Sequence, residues 1–317
     1  MNPRTAAVFD AARTQQRSAL IGYLPAGFPT VDDSVEIFQT MLDSGVDLLE
    51  VGLPYSDPLM DGPAIQESVE IALECGVTTA DVLSVVDRLT PAEGQAVYVM
   101  SYWNPIERFG VQKFADELAA AGGSGVITPD LTPEEADAWI EVTEAAGIDR
   151  TFLVAPSSTD ARIDIVSGAT TGFVYAASTM GVTGTRDTVS DAAPQLVGRV
   201  RERTSQPIGV GLGVSSAEQA ASIAGYADGV IVGSAFIRRV LDAESSAAAT
   251  AAAARQPNPQ PRPPPGQRCP ARARRPSVAA EAPPDRSQLA QSLGRRQRSP
   301  WLAGKRGSSD RWWVSSR

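Results

Sequence analysis

Histidine is missing from the whole 317-residue chain, and cysteine occurs only at Cys75 and Cys269. Without imidazole there is no His-based triad, no histidine general base and no His-containing metal site, so acid–base chemistry falls to carboxylates, Tyr, Lys or Cys. Two cysteines without a Cys-x-x-Cys pair exclude a disulfide framework and a cysteine-rich zinc site, which points to a reduced, cytoplasmic setting. No apolar run approaches the roughly 20 residues of a membrane-spanning helix. The opening stretch MNPRTAAVFDAARTQQRS lacks the apolar core of a secretory signal. A soluble protein, not a membrane one, is expected.

The net charge of -9 conceals a division. Met1–Glu244 carries 14 basic and 34 acidic side chains, a balance of -20, whereas Ser245–Arg317 carries 14 and 3, a balance of +11. The second part contains no Ile, Phe, Tyr or Met, but has Pro at 257, 259, 261, 263, 264 and 265 and Arg pairs at 274–275 and 295–296. Such a segment buries too little apolar surface to offset chain entropy, so a disordered tail is expected over 245–317. Arginines scattered among prolines give no reason to expect a nucleic-acid partner.

In Met1–Glu244 short apolar runs alternate with helical patterns, the pattern of repeated βα units. Eight strands are predicted: Ala19–Tyr23, Leu48–Gly52, Ala96–Met100, Gly125–Thr128, Thr151–Val154, Gly172–Ala176, Ile208–Val210 and Gly229–Val232. Helices are predicted at Val31–Ser44, Thr79–Leu89, Ile106–Ala121, Pro133–Ala146, Asp160–Ser167, Val189–Arg203 and Ala217–Tyr226, with start signals at Thr132-Pro and Ser216. Eight such units, with no GxGxxG turn after the first strand, predict a (β/α)₈ TIM barrel rather than a doubly wound sheet. A short helix, Ser234–Leu241, follows the last strand. Beyond it SSAAATAAAARQPNPQPRPPPG offers almost no large apolar stripe, so the last covering helix is expected to be altered or missing.

Loops at the carboxyl ends of barrel strands build the active site. Glu50 lies there on strand two, on the same face as Leu48, where apolar surroundings would raise its pKa into the range useful for proton transfer. A structural carboxylate paired with Arg or Lys would occupy the same position. Asp61 follows in a loop stiffened by Pro54, Pro58 and Pro63, although an Asp before Gly also forms turns. Gly181-Val-Thr-Gly184, Gly211-Leu-Gly213 and Gly233-Ser234 follow late strands and could offer backbone N–H groups to a phosphate, or merely form tight turns.

Six stretches carry a family resemblance: LLEVGLPYSDPLMDGPAIQ (Leu48–Gln66), SYWNP (Ser101–Pro105), TPDLTPEE (Thr128–Glu135), FVYAASTMGVTGTR (Phe173–Arg186), GVGLGVSS (Gly209–Ser216) and ADGVIVGSAFIRRV (Ala227–Val240). From about Phe9 to Leu241 the sequence resembles the α subunit of tryptophan synthase. That resemblance implies a carbon–carbon lyase that splits indole-3-glycerol phosphate into indole and glyceraldehyde 3-phosphate, without metal or organic cofactor in this subunit. It assigns proton transfer to Glu50, the indole N–H to Asp61, and ordering of the site to Tyr175. Phosphate binding maps to Gly184, Gly213, Gly233 and Ser234, with Gly211 beside them, and the indole walls to Tyr23, Ile65, Ile127 and Phe173. The implied partner is a β subunit carrying pyridoxal phosphate in an α₂β₂ complex, contacted through Pro54–Asp57 and Tyr102–Pro105.

Nothing in that family resembles the tail. Its abrupt onset fits translation of a GC-rich region in a shifted frame, so resequencing the gene across the codons for Asp242–Ala247 should reveal a displaced frame; an intact one overturns this explanation.

Overall fold

The computed structural model describes residues 1–177, 192–211, 214 and 216–243. The chain divides into two units, Met1–Gln267 and Arg268–Arg317, and all described residues belong to the first. The boundary after Glu244, the tail over 245–317 and the expected change in the last covering helix lie outside the described residues.

Helix α1 (Pro3–Thr14) precedes β1 (Ala19–Pro25), α2 (Val31–Asp43) and β2 (Leu48–Gly52). Two helices, α3 (Pro63–Glu74) and α4 (Thr79–Arg88), lead to β3 (Ala96–Met100), and α5 (Trp103–Phe109) and α6 (Val111–Ala120) to β4 (Gly125–Ile127). A 3₁₀ turn at Pro133–Glu135 precedes α7 (Asp137–Ala146), β5 (Asp149–Thr151), β6 (Leu153–Val154), α8 (Asp160–Ala169) and β7 (Val174–Ala177). Then come α9 (Ala192–Arg201), β8 (Ile208–Gly211), α10 (Ala217–Ala224), β9 (Gly229–Val232) and α11 (Ser234–Leu241).

The strands form one parallel sheet in the order β5-β4-β3-β2-β1-β9-β8-β7-β6. Only Phe152 separates β5 from β6, so the two ends of the sheet are halves of one strand. The Phe152 carbonyl accepts from the Tyr175 N–H at 3.3 Å. The sheet therefore closes on itself as the expected (β/α)₈ barrel, with the fifth strand interrupted at one residue.

Side-chain alternation sorts each strand between two cores. On β2, Leu49 and Val51 join the large core under the helices, whereas Leu48 joins the barrel interior. The helices supply matching apolar faces: α2 buries Ile37, Phe38, Met41 and Leu42. Thr30 caps that helix by accepting the Asp33 N–H at 3.1 Å. α1 closes the amino end of the barrel with Val8, Phe9 and Ala12.

Inside, aromatic rings lie over glycines. A Cβ on Gly125 would stand 2.5 Å from the Tyr98 ring, and one on Gly209 would stand 2.9 Å from the ring of Phe173. Tyr98 cannot retreat easily, because its hydroxyl donates to Asp149 Oδ2 at 3.0 Å and meets Thr5 Oγ1 at 2.9 Å.

Three differences from the sequence expectation have local causes. The helix expected over Ile106–Ala121 breaks into α5 and α6 at Gly110, whose φ of 103° leaves the helical region. Thr132 begins a 3₁₀ turn without capping it, since its hydroxyl turns to Glu135 Oε2 at 3.3 Å; Ser216 does cap α10, accepting the Gln219 N–H at 3.3 Å. Helices α1 and α3 were not anticipated, although the buried positions Thr5, Val8, Phe9 and Ala12 follow helical spacing. The part of the predicted helix over 189–191 lies outside the described residues.

The ring-over-glycine packing makes Gly125→Ala an overpacking change. It should lower stability by about 1–3 kcal/mol, read as a lower urea midpoint at unchanged m.

Candidate active site

At the carboxyl end of the barrel Tyr23, Glu50, Asp61, Ile65, Met100, Tyr175, Val214, Ile231, Gly233 and Ser234 enclose roughly 450 Å³ of empty space, its open mouth included. Glu50 reaches this cavity because β2 places it inward, two residues beyond Leu48. It is 1% exposed, and its Oε1 has no hydrogen-bond partner. Burial without a counter-charge pushes its carboxyl up to about 8. Among the described residues no Arg or Lys pairs with Glu50, so nothing described there offsets the upward push of burial.

Asp61 arrives from the β2–α3 loop. Gln66 Nε2 donates to its backbone carbonyl at 2.7 Å, tying the loop to the first turn of α3. Burial raises its carboxyl to about 6, while a hydrogen bond from Tyr102 works in the opposite direction. Near neutrality the two acids thus differ in state, Glu50 protonated and Asp61 ionised. Separation of two carboxyl pKa values by environment is how one site obtains both an acid and a charge acceptor.

The phenols of Tyr23 and Tyr175 complete the polar wall. Burial pushes both hydroxyls well up, and the neighbouring carboxyls of Glu50 and Asp61 add to this, so both remain neutral. Each ring lies where glycine leaves room. A Cβ on Gly52 would be 2.6 Å from the Tyr23 hydroxyl, and one on Gly211 would be 2.3 Å from that of Tyr175. Gly211 is absent from the cavity lining; in the described site it accommodates Tyr175.

Gly233 and Ser234 bring the amino end of α11 to the cavity wall, with Gly233 as its cap residue. The first N–H groups of a helix lack intrahelical partners, and the helix dipole favours an anion there. Gly184 and Gly213, the other residues mapped to phosphate, lie outside the described residues.

The indole-wall assignments divide. Tyr23 and Ile65 line the cavity, but Ile127 and Phe173 are 0% exposed within the barrel filling. Phe173 precedes Tyr175 by two residues, so it shares that face but sits a layer deeper, ~6.6 Å along the strand. Its ring packs 5.9 Å from Phe9 and 5.8 Å from Tyr98. Met100, Val214 and Ile231 line the cavity beside Tyr23 and Ile65. Alternation could have identified Met100, which follows the inward Tyr98 by two residues on β3, and Ile231, two beyond Gly229. Tyr102, which bonds Asp61, carried no such signal, because it lies beyond the strand. Among the described residues no group of three or more Asp, Glu or Cys side chains is placed to hold a metal ion.

Comparison with known proteins agrees with this geometry. The family model for tryptophan synthase alpha chain matches residues 9–260. The alpha chain of Mycobacteroides abscessus is 60% identical over 234 residues, covering 74% of this chain and 89% of that one. The alpha chain of Acidothermus cellulolyticus is 57% identical, with coverage of 74% and 88%. Among solved structures, a chain of Mycobacterium tuberculosis tryptophan synthase superposes with a TM-score of 0.74 at 52% identity, covering 80% of this chain and 96% of that one. The alpha chain of Legionella pneumophila gives 0.71 at 30% identity, with coverage of 80% and 95%. With a closed barrel, two differently tuned carboxyls at its mouth and a family match across most of its length, this chain belongs to the tryptophan synthase alpha chain family.

Proposed function

We propose that this chain cleaves indole-3-glycerol phosphate by a retro-aldol reaction to indole and glyceraldehyde 3-phosphate. The observation that carries this is the Glu50 carboxyl, 1% exposed and with an unpartnered oxygen, lining the same cavity as the Asp61 carboxyl. Glu50 gives its proton to indole C3, which converts the ring to a cation that retains its N–H. Asp61 accepts from that N–H and stabilises the positive charge. The Glu50 carboxylate then takes the proton of the adjacent side-chain hydroxyl. As the C–O bond becomes a carbonyl, the carbon–carbon bond breaks, and its electron pair returns to the ring and restores neutral indole. Glu50 ends protonated, as it began. Tyr175 borders both acids, and the start of α11 at Gly233 and Ser234 receives the phosphate together with Gly184 and Gly213.

The same assignment gives this chain a β subunit as partner in an α₂β₂ complex. Pyridoxal phosphate belongs to that subunit, and no organic cofactor acts here. The outer face of the β2–α3 loop suits such a contact: Leu59 is 72% exposed, and Tyr55, Ser56, Asp57, Asn104 and Pro105 line a shared groove. No helix among the described residues is long and apolar enough to cross a membrane. We assign the reaction to the cytoplasm, in keeping with a sequence that has only two cysteines and no Cys-x-x-Cys pair.

Glu50→Gln should lower indole release by about 10²–10⁴-fold, roughly 3–5 kcal/mol of barrier. An unchanged rate would overturn the proposal. The same variant should be more stable than the parent at neutral pH. A carboxyl raised from 4.5 to about 8 in the folded state favours folding fully below 4.5 and progressively loses that contribution as pH rises through 8. By pH 7 the loss is roughly 3 kcal/mol at most, so the difference in melting temperature should shrink as pH approaches 4.5.

The rate should show a bell-shaped pH dependence. Asp61 must be ionised and Glu50 protonated, so kcat/KM should rise through about 6 and fall through about 8. A profile flat across both limbs would remove the assigned roles.

A further inference from the structure

Tyr102 is the cap residue of α5, 6% exposed, and is held from both sides. Ser101 Oγ donates to its carbonyl at 2.7 Å, and the next N–H, that of Trp103, donates to Asp130 Oδ1 at 2.9 Å and Oδ2 at 3.1 Å. Its hydroxyl meets three groups from the β2–α3 loop. It accepts the N–H of Leu59 at 3.1 Å and that of Met60 at 3.2 Å, and it is hydrogen-bonded to the Asp61 carboxyl. A phenol has two lone pairs and one proton. With both amides on the lone pairs, the proton faces Asp61. Burial pushes the Tyr102 hydroxyl up to about 12, so that proton stays in place across the working range.

The ring of Tyr102 packs on that of Tyr55, centroids 5.4 Å apart. The Tyr55 hydroxyl in turn accepts from Asn104 Nδ2 at 3.0 Å. Tyr55 and Asn104 line the outer groove, whereas Asp61 lines the cavity. One buried residue therefore spans the interval between the two.

We propose that Tyr102 is a positioning residue for the cleavage, its phenol fixing the Asp61 carboxyl in place for the indole N–H and its ring tying that placement to Tyr55 on the outer face of the loop. This rests on the cleavage assigned above. Among the described residues, the titratable groups around Asp61 are Tyr23 from β1, Glu50 from β2, Tyr102 ahead of α5 and Tyr175 from β7. The neighbouring acid and phenols carry no positive charge, so the Tyr102 hydrogen bond opposes the upward push of burial on Asp61.

The test uses the full chain with Tyr102→Phe, which keeps the ring against Tyr55 and removes only the hydroxyl. For indole release, kcat/KM should fall about 10- to 100-fold, and its acid limb should move to higher pH because the bond favouring ionised Asp61 is lost. Titration of the substrate phosphate, also near 6, is common to both proteins and cancels in the comparison. Amide hydrogen exchange at Leu59 and Met60 should quicken in the same variant. Tyr55→Phe, which leaves the Tyr102 hydroxyl intact, should keep the acid limb where it is. An unmoved limb with unchanged exchange in Tyr102→Phe overturns the proposal, as does an equal limb shift in both variants. A parent chain that releases no indole overturns the cleavage assignment itself; exchange at Leu59 and Met60 still decides whether the hydroxyl holds the loop.

Discussion

A single carboxyl taken out of water sets the terms for the rest of the site. Glu50 lies on the inward face of a parallel strand, surrounded by other strands, with one oxygen unpartnered. Its rise from 4.5 to about 8 corresponds to roughly 5 kcal/mol of preference for the protonated form. An arginine beside it would relieve that tension and end its use as an acid. Among the described residues Glu50 has no cation beside it and has the phenols of Tyr23 and Tyr175, which stay neutral, as neighbours.

Such a cavity demands space as well as dryness. Large rings point inward from β1, β3, β7 and the residue just before β7, and each is accommodated by a glycine on another strand: Tyr23 over Gly52, Tyr98 over Gly125, and Phe173 and Tyr175 over Gly209 and Gly211. The filling is continuous from Phe9 on α1 through Phe173 to Tyr175, whose centroids succeed one another at 5.9 and 6.4 Å. A helix closing the amino end of the barrel thus supports the aromatic layer on which Tyr175 rests. Stability and chemistry share one stack of side chains, divided by depth.

Asp61 has the opposite problem. It comes from a loop whose neighbour Leu59 is largely in solvent, yet it must present a charge at a fixed point of a buried cavity. The prolines limit the loop's backbone freedom but do not aim the carboxyl. Aim comes from groups on other elements: Gln66 on the Asp61 carbonyl, and Tyr102 on the two preceding amides and the carboxyl. Burial thus raises both carboxyls, and the Tyr102 hydrogen bond works against it at Asp61.

How much of this was legible beforehand depends on the range of the interaction concerned. Hydrophobic alternation along β2 placed Glu50 inward, and the regular succession of strands and helices gave the barrel, because both are periodicities of adjacent residues. Gly110 shows where a local signal was misweighted: a glycine inside an apolar helical pattern divided one helix into two. Phe173 and Ile127 shared the expected face but sat at the wrong depth for the cavity, which depends on strand stagger and on what plugs the barrel below. By itself the sequence determined the strand set, the inward acid and the stiffened loop. Only tertiary structure decided that one Glu50 oxygen lacks a partner among the described residues, that Met100, Val214 and Ile231 rather than Phe173 and Ile127 meet the cavity, and that Tyr102 holds Asp61. Each of those depends on atoms brought together by barrel closure from residues far apart in the chain, and no pattern of neighbours encodes such distances.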